Sequence, residues 1–398
     1  MRQRILFYSH DTYGLGHFRR SLTIASYLVR HLPGLSGLML TGLESAASFE
    51  AVAGVDFVKL PSIWKSGPDR YVSRHLRVSF TRVRRIRERL VETVARAFEP
   101  HLVVVDNVPL GAEGELLPTL RYLRKRRPSV RVALTLRDIL DAPERIVPRW
   151  RESGVYDALG RFYDEIWVAG SPSVFDPALL YEFPSAVSRK VRFCGYVARA
   201  PVRQDVESLR QELRLGSRPL VVVSCGGGGD GFPLLRAYVE AARALAGRGV
   251  SSAVFLGPDM PATNRHELKR LFLGIGDGVF VYDFRPDFVS FLALARVSVS
   301  MAGYNTTCEV LSQRKPAVLV PRIEPRREQL LRARALESFG LVSVVLPGEL
   351  RPDVLLGAVE SLLAARRVPQ ELPPGLDFAG LARIARRARR MLGREEGE

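Results

Sequence analysis

Residues 219–245 read PLVVVSCGGGGDGFPLLRAYVEAARAL, a strand, a glycine-rich turn and a helix that together indicate an α/β fold. The apolar run Pro219–Cys225 predicts a buried strand, and the periodicity of Leu234–Ala246 predicts a helix. Between them, Gly226–Gly229 form a turn whose backbone N–H groups, together with the helix N-terminus, suit a diphosphate. A loop that is merely flexible is the alternative. No Gly-Lys-Ser/Thr sequence follows, so the turn is not a P-loop.

The same alternation of short apolar runs and helical stretches continues through both halves of the chain. It predicts parallel sheets covered by helices, and a length of 398 residues favours two domains. We therefore expect an α/β fold in which two Rossmann-like domains, residues 1–198 and 199–375, face each other across a cleft. The linker is expected at Gly195–Asp205. A basic helix and tail, residues 376–398, should pack back on the first domain.

Two more predicted strands of the second half end in polar residues. Gly303 and Thr306 follow one of them, and Thr306 suits helix capping or a phosphate contact. Glu309 lies about one turn into the next helix, where it can accept hydrogen bonds from a ribose or simply complement the helix dipole. Glu328 and Gln329 follow the next strand and offer hydrogen bonds to sugar hydroxyls.

A second glycine-rich turn follows the first predicted strand and contains Gly14, Gly16 and His17, with Arg20 one turn further on. The helix dipole disfavours protonation of His17, so a neutral imidazole could accept a proton there. The alternative is that His17 only hydrogen-bonds a phosphate or a loop carbonyl. The pattern G-x-G-x-x-G is incomplete and no acidic residue ends the second strand, which disfavours NAD.

With these loops the chain resembles family 28 glycosyltransferases of the GT-B fold, which include the MurG-type, UDP-sugar-dependent enzymes. The resemblance covers most of the chain and is most specific between Val221 and Ala335. It implies an N-terminal glycine loop at Gly14, Gly16 and His17. It also assigns a set of residues to the nucleotide-sugar donor: Gly226, Gly227, Gly228 and Gly229 at the diphosphate, Phe284 and Arg285 at the uracil, Gly303, Thr306 and Glu309 at the ribose, and Glu328 and Gln329 at the sugar.

The chain also departs from that family. The family's G-G-x-G-G-H loop is here Thr12-Tyr-Gly-Leu-Gly-His17, and Glu328 replaces the first residue of a Gln-Gln pair. The string from Gly14 to Arg20 is also similar to a nucleotide-sugar hydrolase of the pseudaminic-acid pathway, in which His and Arg serve the attack of water.

The resemblance implies an inverting transferase that moves a hexose or N-acetylhexosamine from a UDP-linked donor to an acceptor hydroxyl, with His17 as the base. No D-x-D sequence occurs, so we expect no metal and no cofactor. Two other classes compete with this interpretation. One is a hydrolase or epimerase of nucleotide sugars with the same fold. The other is a non-catalytic binding protein, although the basic residues lack the aromatic interleaving typical of nucleic-acid binding.

The formal charge of +17 comes mainly from arginine. The stretch Arg82–Phe98 predicts a helix with an apolar core stripe at Val83, Ile86, Leu90, Val94 and Ala97. Its arginines are Arg82, Arg84, Arg85, Arg87, Arg89 and Arg96. They form either a solvated face or a surface for anionic lipid, from which a lipid-linked acceptor could be reached. No apolar run approaches the ~20 residues of a membrane span, and the first residues are too few for a signal peptide, so we expect a cytoplasmic protein.

Overall fold

The computed structural model describes residues 2–10, 16–44, 46, 52–67, 70–199, 203–365 and 372–393. The chain divides into two compact units, one of residues Met1–Val197 with Ala379–Glu398, the other of Ala198–Phe378. The sequence places this boundary between residues 198 and 199. No helix in the described ranges is long and apolar enough to cross a membrane.

The described part of the first unit is built on a seven-stranded parallel sheet with the strand order β3-β2-β1-β6-β7-β8-β9. A two-stranded antiparallel hairpin, β4–β5, stands beside it. The central strand β6 reads Leu-Val-Val-Val-Asp and is buried throughout, as expected for a parallel strand covered on both faces. The strands are β1 Gln3–Tyr8, β2 Leu35–Thr41, β3 Val55–Lys59, β4 Ile63–Gly67, β5 Arg70–Ser73, β6 Leu102–Asp106, β7 Arg131–Arg137, β8 Glu165–Ala169 and β9 Val191–Phe193.

Helices connect these strands. They are α1 Gly16–His31, α2 Phe80–Phe98, α3 Leu117–Arg126, α4 Pro143–Glu152, α5 Val155–Phe162, α6 Pro177–Leu180 and α7 Ser185–Ser188, with a 3-10 turn at Ala112–Gly114.

The second unit repeats this architecture on a parallel sheet, which has six strands among the described residues in the order β12-β11-β10-β13-β14-β15. The strands are β10 Leu220–Ser224, β11 Ser251–Phe255, β12 Val279–Tyr282, β13 Val297–Ser300, β14 Ala317–Leu319 and β15 Ser343–Val344. The helices are α8 Arg203–Glu212, α9 Phe232–Ala246, α10 Ala262–Leu273, α11 Phe288–Leu294, α12 Tyr304–Ser312, α13 Glu328–Ser338 and α14 Pro352–Ala364, with a 3-10 turn at Pro347–Glu349.

Both sheets reverse their strand order at one place, and such switch points open a crevice at the carboxyl ends of the strands. In the first unit the reversal lies between β1 and β6, so the start of α1 at Gly16 and the residue Asp106 flank it. In the second unit it lies between β10 and β13, which lead into the turns at Gly226 and Gly303. The topology thus brings Gly16 and Asp106 of the first unit, and the turns at Gly226 and Gly303 of the second, to such an edge.

The helix α15, Gly380–Met391, belongs to the first unit, where it packs on α1 as the sequence predicts. Arg387 forms an ion pair with Glu165 of β8, and the Arg383 guanidinium donates to the Cys194 carbonyl at 3.2 Å. At Gly380 a Cβ atom would lie 2.5 Å from the Tyr196 carbonyl oxygen, so only glycine permits this approach. Specific contacts therefore hold α15 against the rest of the first unit.

The predicted core stripe of α2 is wrong. The helix buries Val83, Arg87, Val91 and Ala95, whereas Ile86 is 38% exposed and Leu90 is 36% exposed. The Arg87 guanidinium donates to both oxygens of buried Glu115 at 2.6 Å, and Glu115 also accepts from the Tyr8 hydroxyl. The periodicity of apolar residues cannot reveal a buried ion pair at the centre of the packing face. The predicted stripe therefore includes positions that are exposed to solvent.

Candidate functional site

The four glycines after β10 have two different roles. Gly228 adopts a φ of +91°, and a Cβ there would lie 2.2 Å from the Leu256 carbonyl oxygen, so this residue packs the turn against the next loop. A Cβ on Gly227 would lie 2.9 Å from Asp259 Oδ2, the end of a side chain, so this position is less restricted. Gly226 adopts a φ of +68° with open space around its Cα, and Gly229 is also exposed. The turn is therefore closely packed on one side and exposed, so that a ligand can approach, on the other.

The turn after β13 has its own accessible glycine. Gly303 is the N-cap of α12, and no atom lies within 4 Å of the position that its Cβ would take. Thr306 is half-buried in the first turn of the helix. Glu309 lies one turn further on and is only 6% exposed. A ligand at the N-terminus of α12 can thus approach the backbone closely, with a buried carboxylate nearby.

Arg199 contacts the Glu309 carboxylate, an interaction that no sequence pattern indicates. Its Nε donates to Glu309 Oε1 at 2.8 Å, and its Nη2 lies 2.7 Å from the same oxygen. Both contacts use Oε1. Arg199 therefore fixes the orientation of the carboxylate that the sequence assigns to the ribose.

The loop after β14 brings together two residues that the sequence assigns to the sugar. Glu328 and Gln329 begin α13 and are buried, at 3% and 7% exposure. The Arg322 guanidinium donates to Glu328 Oε1 at 2.6 Å, and the Arg322 backbone N–H donates to Gln329 Oε1 at 2.9 Å. Arg322 also reaches Asp230, beside the glycine turn, at 3.0 Å. Arg322 and Asp230 lie in the loops that the sequence marks as candidate sites, but the sequence analysis gives neither of them a role.

The residues assigned to the uracil, Phe284 and Arg285, follow β12. Phe284 is 44% exposed. The Arg285 guanidinium is held by two carboxylates, with its Nη2 at 2.7 Å from Asp287 and its Nη1 at 2.9 Å from Glu212 of α8. These ion pairs raise the pKa of Arg285. The Arg285 side chain therefore ties α8 to the loop.

In the first unit, His17 forms a pair with Asp106, the last residue of β6. His17 Nδ1 lies 2.7 Å from Asp106 Oδ2, and the Arg20 guanidinium donates to Asp106 Oδ1. Thr135 adds a third hydrogen bond to this carboxylate at 3.3 Å. The His17 side chain is 14% exposed. With Nδ1 donating to Asp106, the other ring nitrogen, Nε2, carries the lone pair that can accept a proton.

The surroundings shift the pKa values of both His17 and Asp106. Burial lowers the pKa of His17, and the nearby carboxylate of Asp106 opposes that effect without cancelling it. Burial raises the pKa of Asp106, but Arg20 and His17 outweigh it and hold that pKa well below its usual range. His17 is therefore neutral at pH 7 beside a charged aspartate, which suits a general base. Desolvation is the first cause of the lowered pKa, whereas the sequence analysis expected the helix dipole.

The rest of the predicted N-terminal turn is only partly visible. Gly16 is exposed at the start of α1, whereas Gly14 lies outside the described residues. His10, at the end of β1, packs edge-on to His17 with ring centroids 6.2 Å apart. Asp106 is the partner of His17 that the sequence analysis missed, although an acid that ends a fully apolar strand is a recognisable signal. No group of three or more His, Cys, Asp or Glu in the described ranges is placed to hold a metal.

Comparison with known protein families identifies a domain in the second half of the chain. Residues 221–384 match the glycosyltransferase family 28 C-terminal domain. Residues 221–384 are therefore a family 28 C-terminal domain. This family 28 domain contains the glycine turn, the Gly303 turn, Glu309, Glu328 and Gln329 described above.

Relatives of known activity agree with that assignment. The UDP-N-acetylglucosamine–N-acetylmuramyl-(pentapeptide) pyrophosphoryl-undecaprenol N-acetylglucosamine transferase of Actinobacillus pleuropneumoniae is 25% identical over 197 residues, 49% of this chain and 53% of the relative. The transferase of the same name from Geobacillus kaustophilus is 38% identical over 73 residues, 18% of this chain and 20% of the relative. The chain thus spans about half the length of the first relative, and less of the second.

Solved structures define the fold of the whole chain. The calicheamicin glycosyltransferase CalG4 superposes with a TM-score of 0.63 at 21% identity and covers 100% of both chains. A putative UDP-N-acetylglucosamine 2-epimerase from Listeria monocytogenes superposes with a TM-score of 0.67 at 12% identity, covering 100% of this chain and 98% of that chain. The chain has the GT-B fold of two Rossmann-like domains.

Proposed function

We propose that this protein is an inverting glycosyltransferase that moves a hexose or N-acetylhexosamine from a UDP-linked donor to an acceptor hydroxyl. The observation that carries the proposal is the pair of His17 with a buried aspartate, in a chain whose other unit is a family 28 domain. A base of this kind removes a proton from a hydroxyl, and a family 28 domain supplies a place for a nucleotide sugar. The first unit supplies the base and the second holds the donor.

The proposed reaction is a single displacement. His17 Nε2 takes the acceptor hydroxyl proton while that oxygen attacks the anomeric carbon, and Asp106 stabilises the imidazolium that forms. The bond from the anomeric carbon to the diphosphate breaks, and the configuration inverts. The N–H groups of the turn at Gly226 and the N-terminus of α9 meet the charge that develops on the leaving diphosphate. No step in this reaction needs a metal or a cofactor.

A panel of nucleotides and nucleotide sugars tests the donor. We expect UDP and UDP-sugars to raise the melting temperature more than the TDP and GDP counterparts do. Glu309→Ala should weaken UDP binding by about 1–3 kcal/mol, the usual range for a hydrogen bond to a charged group. Glu207→Ala, at an exposed position of α8, is the matched control. Equal UDP affinity in the Glu309 variant and the control would remove Glu309 from the ribose site.

Hydrolysis or epimerisation of a nucleotide sugar is the second candidate, because UDP-N-acetylglucosamine 2-epimerase structures share this fold. Water could take the place of the acceptor hydroxyl at His17. Product analysis distinguishes the candidates. A transferase leaves the donor largely intact until an acceptor is added, whereas a hydrolase releases free sugar at once and an epimerase yields a second UDP-sugar.

We further propose that the acceptor is lipid-linked and is reached at an anionic membrane surface. Exposed apolar side chains occur on the hairpin β4–β5, on the segment that leads from it into α2, and on α2 itself. They are Trp64, Leu76, Val78, Ile86 and Leu90. Exposed arginines alternate with them: Arg74, Arg77, Arg82, Arg85 and Arg89. Apolar groups flanked by arginines suit the interface of an anionic bilayer. We call these ten residues the arginine face.

Vesicle sedimentation tests the arginine face. We expect the protein to sediment with anionic vesicles and much less with neutral ones, because each arginine near the surface contributes about 1 kcal/mol. Arg85→Ala with Arg89→Ala should therefore weaken binding by about 2 kcal/mol, roughly thirtyfold. Arg210→Ala, at an exposed position of the other unit, is the control. Binding to neither kind of vesicle at low salt would indicate a soluble acceptor and a merely solvated helix face.

A further inference from the structure

The hairpin β4–β5 has two different faces, because side chains alternate between the faces along a strand. On the inner face, Ile63 and Tyr71 are buried and pack on α2. On the outer face, Trp64 is 40% exposed, and the guanidinium of Arg74 lies over its ring at 5.4 Å from the centroid. Arg74 also pairs with Glu44 at 3.0 Å. Two members of the arginine face therefore lie on one side of the hairpin and a buried tyrosine on the other.

Tyr71 connects the hairpin to His17 through one intervening residue, His10. The Tyr71 hydroxyl lies 3.5 Å from His10 Nε2, and the two rings meet edge-on with their centroids 6.2 Å apart. The ring of His10 meets that of His17 in the same way, also at 6.2 Å. His10 is 5% exposed and Tyr71 is 7% exposed. Three aromatic rings thus pack in series from the hairpin to the residue that we assign as the base.

The position of the hairpin depends on side-chain contacts. Within the described ranges, its strands pair with each other and with no strand of the seven-stranded sheet. Phe80 of α2 stacks on Tyr71 with ring centroids 5.8 Å apart, and the Arg87 guanidinium donates to the carbonyl of Pro61, just before β4, at 2.8 Å. A two-stranded hairpin is at best marginally stable by itself in water. A contact that holds its outer face therefore also favours the packing of Tyr71 on His10.

We propose that Tyr71 is a positioning residue that couples the arginine face to His17, so that binding to an anionic membrane surface raises the rate of the reaction at His17. The inference rests on the proposed function, because it takes His17 as the base and the arginine face as the membrane surface. Trp64 and Arg74 suit the interface of an anionic bilayer, which binds the outer face of the docked hairpin. A surface that binds the docked hairpin better than the undocked one shifts the population toward the docked form. In that form Tyr71 holds His10 against the imidazole of His17.

Release of UDP from UDP-N-acetylglucosamine, with water in place of the acceptor, tests the inference. No lipid-linked acceptor is present in this assay, so vesicles cannot act by delivering one. The rate is measured without vesicles, with vesicles of phosphatidylcholine, and with vesicles of equal parts phosphatidylcholine and phosphatidylglycerol. We expect the anionic vesicles to raise the wild-type rate at least about fivefold, the lower end of the usual coupling between two sites. The neutral vesicles should leave the rate unchanged.

Variants of Tyr71 separate coupling from a merely structural role. Tyr71→Leu should reduce the stimulation by anionic vesicles to less than about twofold, while sedimentation with those vesicles stays as in the wild type. Tyr71→Phe keeps the ring and should retain most of the stimulation. Tyr122→Leu, at a half-buried position of α3 in the same unit, is the matched control. A structural role of Tyr71 would lower the rates with and without vesicles alike, so the ratio of the two rates is the quantity to compare.

A second variant removes the other contact of the series. His10→Ala takes away the ring between Tyr71 and His17 and should likewise abolish the stimulation without weakening sedimentation. Stimulation of Tyr71→Leu or His10→Ala equal to that of the wild type would overturn the inference. So would a wild-type rate that bound anionic vesicles do not raise above the rate without vesicles. Absence of sedimentation with anionic vesicles contradicts the membrane surface and the inference with it, whereas failure to bind UDP at all contradicts the proposed function itself.

Discussion

We expect His17→Ala to lower turnover by about two to four orders of magnitude, the usual contribution of a general base, while UDP affinity stays nearly unchanged. Nδ1 of His17 is engaged by Asp106 at 2.7 Å, so Nε2 is the nitrogen available to the acceptor proton. Alanine removes that lone pair, and His17 belongs to a different unit from the glycine turn and Glu309, to which we assign the donor. The effect therefore falls on turnover rather than on donor binding.

The pH dependence adds a second readout to this prediction. The base works only when neutral, and burial lowers the pKa of His17 below its ordinary value of 6.5. Turnover should thus stay high as the pH falls through 6.5 and decline only below it. In the alanine variant the residual rate should lack this acid limb. A histidine acting as a cation would give the opposite profile, with turnover rising as the pH falls.

The measurement is the release of UDP from the donor, with acceptor and with water alone. His31→Ala is the matched control, because His31 ends the same helix and is exposed. Full activity of His17→Ala in both assays would leave His17 with a structural role or with acceptor orientation only. Loss of activity together with loss of UDP affinity would indicate that His17 contacts the donor rather than the acceptor.

Most of the fold could be predicted from the sequence, because it depends on strong local patterns. Runs such as Leu102–Asp106 and Val279–Tyr282 are strands with those same bounds in the structure. Each lies in a parallel sheet and is bounded by turns. A short apolar run followed by a glycine or an acidic residue identifies such a strand with little ambiguity. The short strand Val191–Phe193 and the hairpin β4–β5 were not predicted, because neither has a long apolar run.

The candidate site could be predicted only in part, because the residues that contact each other there are distant in sequence. His17 and Asp106 are 89 residues apart, and Arg199 and Glu309 are 110 apart. No local pattern indicates which carboxylate a histidine or an arginine will meet. The sequence does mark where such groups collect, since both members of the first pair lie at the switch point of one sheet. It could not show that Arg87, which reads as one arginine in a surface run, lies buried against Glu115.

Asp106→Asn should have an effect comparable to that of losing the base, about two to four orders of magnitude in turnover. Asparagine keeps the size of the side chain but replaces a carboxylate oxygen by an N–H donor. If that donor faces His17 Nδ1, the imidazole must carry its proton on Nε2, where it cannot accept one from the acceptor. The imidazolium that forms in the reaction also loses its counter-charge.

This prediction needs a stability control, because the same substitution leaves Arg20 buried without the charge of Asp106, and breaking a buried ion pair costs about 3–5 kcal/mol. Thermal unfolding of Asp106→Asn and of Arg20→Met separates the two effects, since both disrupt the ion pair but only the first removes the partner of His17. Asp106 raises the pKa of His17, so that pKa, followed by NMR, should fall further in Asp106→Asn. It should rise in Arg20→Met, because the charge of Arg20 lowers it in the wild type. A folded Asp106→Asn variant that keeps turnover within a factor of about ten would show that His17 does not need this carboxylate as its orienting partner.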